Sequence, residues 1–138
     1  MAGCAFCAIV AGEASAHVVF EDGATLAFLD NRPLFPGHSL LVPREHREAI
    51  WDLPDDLLAR IFANARALAV AIREATGSEG AFVAANNVVS QSVPHFHVHV
   101  VPRNRKDGLR GFFWPRQRYR DDEHAAEVAA AIRAALAR

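Results

Sequence analysis

Lysine is nearly missing from this chain. Lys106 is the single lysine among fifteen basic residues, and sixteen acidic residues leave a formal charge of −1. So balanced a chain has no global attraction to nucleic acid or to an anionic membrane surface. Long apolar runs are missing too: none approaches the ~20 residues a helix needs to cross a bilayer. The first residues also lack a basic segment followed by an apolar one, so a cytoplasmic protein is expected. Cysteine is scarce. Cys4 and Cys7 are the only two, which excludes a disulfide framework and, in a reducing compartment, leaves two thiols available to a metal. No internal repeat is present, and 138 residues fit one domain able to bury a core without cross-links.

What the chain does have is a row of histidines, Pro94-His95-Phe96-His97-Val98-His99-Val100-Val101-Pro102. Its period of two predicts a β-strand, with His95, His97 and His99 on one face and Phe96, Val98 and Val100 in a core on the other. The prolines are expected to mark its ends. At ~3.3 Å per residue the imidazoles would stand roughly 6.6 Å apart, too far to bond one another, so each looks to a different partner or to a ligand along the row. Three titratable rings in register would repel if all were protonated, which disfavours a purely structural explanation. Metal binding and catalysis both remain. Rings so spaced cannot all reach one ion at ~2.0–2.1 Å, so at most one or two of them share a metal.

Cys4-Ala5-Phe6-Cys7 begins almost at the first residue, whereas a redox motif of thioredoxin type would follow a strand and open a helix. A Cys-x-x-Cys turn can supply half of a tetrahedral zinc site, with histidine the usual source of the other half. His17 to Glu21 reads as a strand, Asp22-Gly23 as a tight turn and Ala24 to Asp30 as the hairpin partner. Asn31 to Gly37, with two prolines, is a loop, and Asp30 at its edge could cap a turn or bind ligand hydroxyls. His38 to Pro43 is the next strand, with His46 just beyond it. From Trp51 the pattern becomes helical, with Asp52 as expected N-cap, Pro54 in the first turn and Gly77 as terminator. Leu57, Leu58, Ile61, Ala65, Leu68, Ala69 and Ile72 form its buried stripe.

Ala81 to Asn87 is expected as a strand antiparallel to the histidine strand, joined to it through Val88 to Ser92. Beyond Pro102, Arg103, Arg105, Lys106, Arg110, Arg116, Arg118 and Arg120 are interleaved with Phe112, Phe113, Trp114 and Tyr119. Such a mixture can bind nucleic acid. The near-neutral total charge, with Gly108, Gly111 and Pro115 in the segment, fits better with aromatics packed on the body or on a partner subunit and arginines touching a phosphorylated ligand. Asp121 is placed to cap a last helix, whose Val128, Ile132 and Leu136 form a narrow apolar stripe.

The row His95-Phe96-His97-Val98-His99-Val100-Val101 resembles the motif of the histidine triad (HIT) family, His-φ-His-φ-His-φ-φ with φ apolar. The resemblance extends through Leu26-Ala27-Phe28-Leu29-Asp30, Pro36-Gly37-His38-Ser39-Leu40-Leu41-Val42-Pro43, His46 and Gln91-Ser92-Val93-Pro94, and covers the chain from about Cys4 to Arg103. It departs at Ser90, where many relatives have glycine, in the length of the stretch from Asn86-Asn87 to Gln91, shorter here by about two residues, and at Asn31, commonly apolar.

The resemblance implies an α+β fold: an antiparallel sheet of about five strands, one long helix packed on it and a C-terminal helix. Residues 1–103 would be the domain core and 104–138 an extension packed on it, in a homodimer. It also implies hydrolysis of purine nucleotide conjugates such as adenosine phosphoramidates, with no catalytic metal required. His97 would attack the α-phosphorus to form a nucleotidyl-histidine, His99 would contact the phosphate or leaving group, and Ser92 and His38 would assist. Asp30 would hold ribose hydroxyls, Phe6, Ile9, Phe28 and Leu40 would line the base pocket, and Asn86 (or Asn87) and Gln91 would face the phosphate. Cys4, Cys7, His46 and His95 would hold a structural zinc ion. The alternatives are a dinucleoside polyphosphate hydrolase and, from another class, a nucleotide-binding or interaction module whose activity is incidental.

Overall fold

The structure, a computed structural model, describes residues 3–110 and 116–137. Phe112, Phe113 and Trp114, expected to pack on the body or a partner, lie outside the described residues. The elements are α1 (Ala5–Val10), β1 (Val18–Glu21), β2 (Thr25–Leu29), β3 (Ser39–Pro43), a 3-10 turn at Ile50–Asp52, α2 (Asp55–Thr76), β4 (Gly80–Ala84), β5 (Val98–Arg103) and α3 (Asp122–Leu136). The chain divides into two units after Asp107. The first holds α1 to β5 and the second holds α3.

The five strands form one antiparallel sheet in the order β1-β2-β3-β5-β4, so the fold is α+β as expected. Alternation along each strand sorts the core into two layers. Ala27, Leu41, Val98 and Val100 face α2 and bury against Ile61, Ala65, Leu68 and Ile72, with Phe96 between them. Those helical residues recur at intervals of three and four, the spacing that puts one stripe on a packed face. Leu26, Phe28, Leu40 and Val42 face the other way, onto Phe6 of α1.

The β1–β2 turn falls one residue later than expected. Asp22 pairs with Thr25 through an N–H···O=C bond of 3.0 Å, leaving Gly23-Ala24 at the tip. Neither tip residue needs a positive φ, because the Asp22 carboxylate accepts the N–H groups of Ala24 and Thr25 and the Thr25 hydroxyl, at 2.8–3.0 Å. Burial opposes the charge, yet these bonds and the Asn64 amide hold the Asp22 carboxyl well below the usual carboxylate range. Helix α2 starts at Asp55 behind Pro54, not behind Asp52. The Asp52 carboxylate instead accepts from the Ala49 N–H at 3.0 Å and closes the 3-10 turn. Gly77 ends α2 in the left-handed conformation, φ 67°.

The histidine strand also starts later than expected. Regular pairing begins at Val98, and the strand runs through Pro102 to Arg103. Pro102 is tolerated inside it because pairing with β3 ends at Val100. Beside it Gly37, at φ 105°, is so close to α2 that a Cβ would lie 2.9 Å from Thr76 Cγ2.

β4 ends at Ala84, and the chain reaches β5 through an irregular segment tied down by amides. The Asn87 side-chain oxygen accepts the Ile50 N–H at 2.7 Å, and the Gln91 amide donates to the Glu48 carbonyl at 2.6 Å. Val88 is strained, at φ 74° inside a three-residue turn closed by the Val89 N–H on the Asn87 carbonyl, 3.0 Å. Its side chain is 68% exposed, so little packing offsets that strain. Val88→Gly should therefore raise stability by about 1 kcal/mol in urea unfolding. A lowered midpoint would mean that the valine contributes packing that outweighs the strain.

In the second unit, the Asp121 carboxylate caps α3 by accepting the His124 N–H at 2.8 Å, as the sequence predicts.

Candidate functional site

The histidines lie on the face of the sheet away from α2, and the hydrogen-bond partner of each ring fixes which of its two nitrogens carries the proton. The His97 Nδ1–H donates to the His95 carbonyl at 2.8 Å, so its Nε2 carries a free lone pair. The His95 Nε2–H donates to the Pro43 carbonyl at 2.8 Å, which leaves the lone pair on Nδ1. The His38 Nδ1 accepts the Leu34 N–H at 3.0 Å, so its proton sits on Nε2. That Nε2–H donates to His99 Nδ1, 3.0 Å away, which leaves His99 with its proton on Nε2. The four rings thus have three different jobs open to them: a nucleophile at His97, a metal donor at His95, and a linked pair of donors at His38 and His99.

The ring spacing is closer than an ideal strand predicts, 4.9 Å between the His97 and His99 centroids, because His97 precedes the regular pairing. Burial pushes all four rings below the ordinary histidine value. His99 falls to about 4, through burial first and then through the neighbouring His97 and His38. An unfolded histidine titrates near ~6.5, so the unfolded chain binds protons that folded His99 refuses. Stability contributed by neutral His99 is present above that value and is lost as pH falls toward 4. The thermal midpoint should decline over that window, and less so in His99→Asn. An unchanged decline would assign it to other groups.

Around these rings the structure gathers several of the sequence-predicted residues. Phe6, Phe28 and Leu40 are buried in one cluster, with Ile9 half-buried against it. Phe6 meets the His97 ring edge-on at 5.0 Å and Phe28 at 5.4 Å. One Asp30 oxygen accepts the Arg32 N–H at 2.9 Å, and the other stands 3.6 Å from His38 Nε2. The polar loop is arranged differently. The Gln91 amide is engaged at both ends, donating to Glu48 and accepting the Val88 N–H at 3.0 Å, and the Asn86 amide donates to the Ser90 carbonyl at 3.3 Å. Ser92 is exposed. The groups that sequence reasoning missed are main-chain ones, the Leu34 N–H and the Pro43 carbonyl, which no side-chain pattern announces.

Two clusters have the residue types of a metal site, and the ring tautomers separate them. In Asp30, His38 and His99, His38 Nε2 bears the ring proton and is no metal donor. In Cys4, Cys7, His46 and His95 the donor atoms lie within 4.8 Å of one another, and His95 turns its free lone pair inward. Cys7 Sγ is 3.2 Å from His46 Nδ1, and both sulfurs are 3.5 Å from His95 Nδ1. Tetrahedral zinc bonds of ~2.3 Å to sulfur and ~2.05 Å to nitrogen give S···N edges of roughly 3.6 Å. The set fits such an ion, and the bond from His95 to Pro43 is the outer support that metal-binding histidines use.

Comparisons with known proteins give the family and its fold. Residues 11–106 match the model of the HIT domain. The adenosine 5′-monophosphoramidase of Schizosaccharomyces pombe is 34% identical over 114 residues, 81% of this chain and 83% of that one. A HIT family protein from Bacillus subtilis superposes with a TM-score of 0.85 at 32% identity, covering 94% of each chain. A Zn-bound histidine triad family protein from Mycobacterium smegmatis does so at 0.73 and 34%, covering 99% of this chain and 98% of that one.

Proposed function

The chain belongs to the HIT domain family, and on that premise we propose that it hydrolyses purine nucleotide conjugates of the AMP phosphoramidate type through a covalent nucleotidyl-His97. The observation that carries this reading is the bond from His97 Nδ1–H to the His95 carbonyl, which leaves a neutral ring with its Nε2 lone pair free. That nitrogen attacks the α-phosphorus and the leaving group departs. Positive charge then develops on the imidazole, where the carbonyl bound to Nδ1–H stabilises it. Water attacks the phosphorus next and releases the nucleotide and His97. His99 has its proton on Nε2 and donates a hydrogen bond to a phosphate oxygen or the leaving group, while His38 holds it in that tautomer.

Asp30 has one oxygen left for ribose hydroxyls, and Phe6, Ile9, Phe28 and Leu40 offer the apolar wall for a base. Ser92, Asn86 and Gln91 serve the phosphate once the amides are released from the loop. Cys4, Cys7, His46 and His95 hold zinc, which cross-links α1 to the catalytic segment. The experiment is AMP release from an adenosine phosphoramidate and, separately, from a diadenosine polyphosphate. Turnover of the first supports this reading, turnover of the second alone replaces it with polyphosphate hydrolysis, and binding without turnover of either makes the protein a nucleotide-binding module.

We also propose a homodimer formed through β4. Among the described residues this edge strand pairs only with β5; it carries no charged residue and leaves Val83 43% exposed. Sedimentation at twice the chain mass is expected, and sedimentation as a monomer at micromolar concentration contradicts it.

A further inference from the structure

We propose that Cys4 and Cys7 are a site of reversible oxidation that controls nucleotide binding. The proposal rests on the metal and nucleotide readings above and adds to both. Three observations carry it. The sulfurs are reachable: a surface cleft of about 580 Å3 is lined by both cysteines and by small residues, among them Gly3, Ala5, Ala8 and Ala11. They are also poised to join. Cys4 is the N-cap of α1 and Cys7 stands three residues on, with Cys4 Sγ accepting the Cys7 N–H at 3.4 Å. The two sulfurs lie within 4.8 Å of each other, and side-chain rotation brings such a pair toward the ~2.05 Å of a disulfide.

The site is coupled to the nucleotide site through two residues. His95 turns its Nδ1 to both sulfurs, at 3.5 Å, while its own carbonyl fixes the tautomer of His97. Phe6 lies between the cysteines in sequence, and its ring packs on His97 and Phe28. Any rearrangement of the Cys4–Cys7 turn therefore reaches the nucleophile and the apolar wall together.

The oxidant is a peroxide. One thiolate attacks a peroxide oxygen, the O–O bond breaks, hydroxide leaves and the sulfur becomes a sulfenic acid. The other thiolate attacks that sulfur, the S–O bond breaks, a second hydroxide leaves and the disulfide forms. Two electrons pass from sulfur to peroxide, and a thiol reductant returns them. With both sulfurs engaged in the disulfide, His46 and His95 alone remain as metal donors, too few to hold zinc.

The test uses zinc-loaded protein with measured metal content and AMP affinity, treated with hydrogen peroxide. Released zinc is read with a chromogenic chelator, the disulfide by mass spectrometry after thiol alkylation, and AMP affinity by calorimetry. One zinc released per disulfide is expected, with AMP bound about tenfold more weakly and both effects reversed by reductant plus zinc. Thiols and zinc that persist under peroxide overturn the proposal, as does a disulfide that leaves AMP affinity unchanged. Cys7→Ser cannot form the bond, so its AMP affinity must ignore peroxide, and a continued response assigns the effect to another residue. Protein that takes up no zinc before oxidation contradicts the metal reading itself, and protein that binds no AMP contradicts the nucleotide reading. This inference falls with either.

Discussion

His97→Ala should lose adenosine phosphoramidate hydrolysis by about 10⁴-fold or more in kcat while binding AMP within about tenfold of the parent chain. The size of the loss follows from the tautomers. His97 alone among the four rings combines a free Nε2 lone pair with an Nδ1–H held by a carbonyl. His99 cannot replace it, because His38 donates to its Nδ1 and its proton stays on Nε2. The lost ring is buried, 2% exposed, so His97→Asn, closer in size, separates a lost nucleophile from a disturbed core. Both variants should show the same kinetic loss, with near-parental melting in His97→Asn and a lower melting temperature in His97→Ala, which leaves a cavity against Phe6. Activity within tenfold of the parent in either would remove His97 from the chemistry.

Cys7→Ser should release the metal and lower the melting temperature by roughly 10 °C, about 3 kcal/mol. Cys7 approaches both histidine donors, at 3.2 and 3.5 Å, so removing its sulfur leaves a set that no longer closes around the ion. The cross-link it supports joins α1 to segments 39 and 88 residues away, and α1 itself is only six residues long, too short to hold its place by helix propensity. A strong chelator should destabilise the parent chain by the same amount and the variant not at all. Equal metal content and equal melting in parent and variant would contradict the cross-link.

Much of this architecture was legible because side-chain period reports burial. The stripe from Ile61 to Ile72 gave α2, and the alternation of Phe96, Val98 and Val100 with the histidines gave the two faces of the segment that leads into and begins β5. Capping at Asp121 was legible too, since a carboxylate before a polar first turn has few other uses. What escaped was decided by the main chain. Asp22 moved the hairpin turn by one residue by collecting two N–H groups, and Pro54 displaced Asp52 from the start of α2. Pro102 reads as a strand terminator until the neighbour that would need its N–H is seen to have stopped pairing. At the site, histidine spacing identified the row, but the Pro43 carbonyl and the Leu34 N–H, which set the tautomers of His95 and His38, lie 52 and 4 residues from the rings they bind. The amides of Asn86 and Gln91 match a phosphate-facing pattern in sequence, and only the fold reveals that they tie the loop to itself and to Glu48.

The most direct measurement is to catch the nucleotidyl group on the protein. Chain mixed with excess adenosine phosphoramidate is quenched in alkali, where a phosphorus–nitrogen bond to imidazole survives, and digested for peptide mass mapping. The account predicts an adenylyl group on His97 that appears before AMP accumulates and decays once substrate is exhausted. Full turnover with no adduct, or an adduct on any other residue, would contradict it.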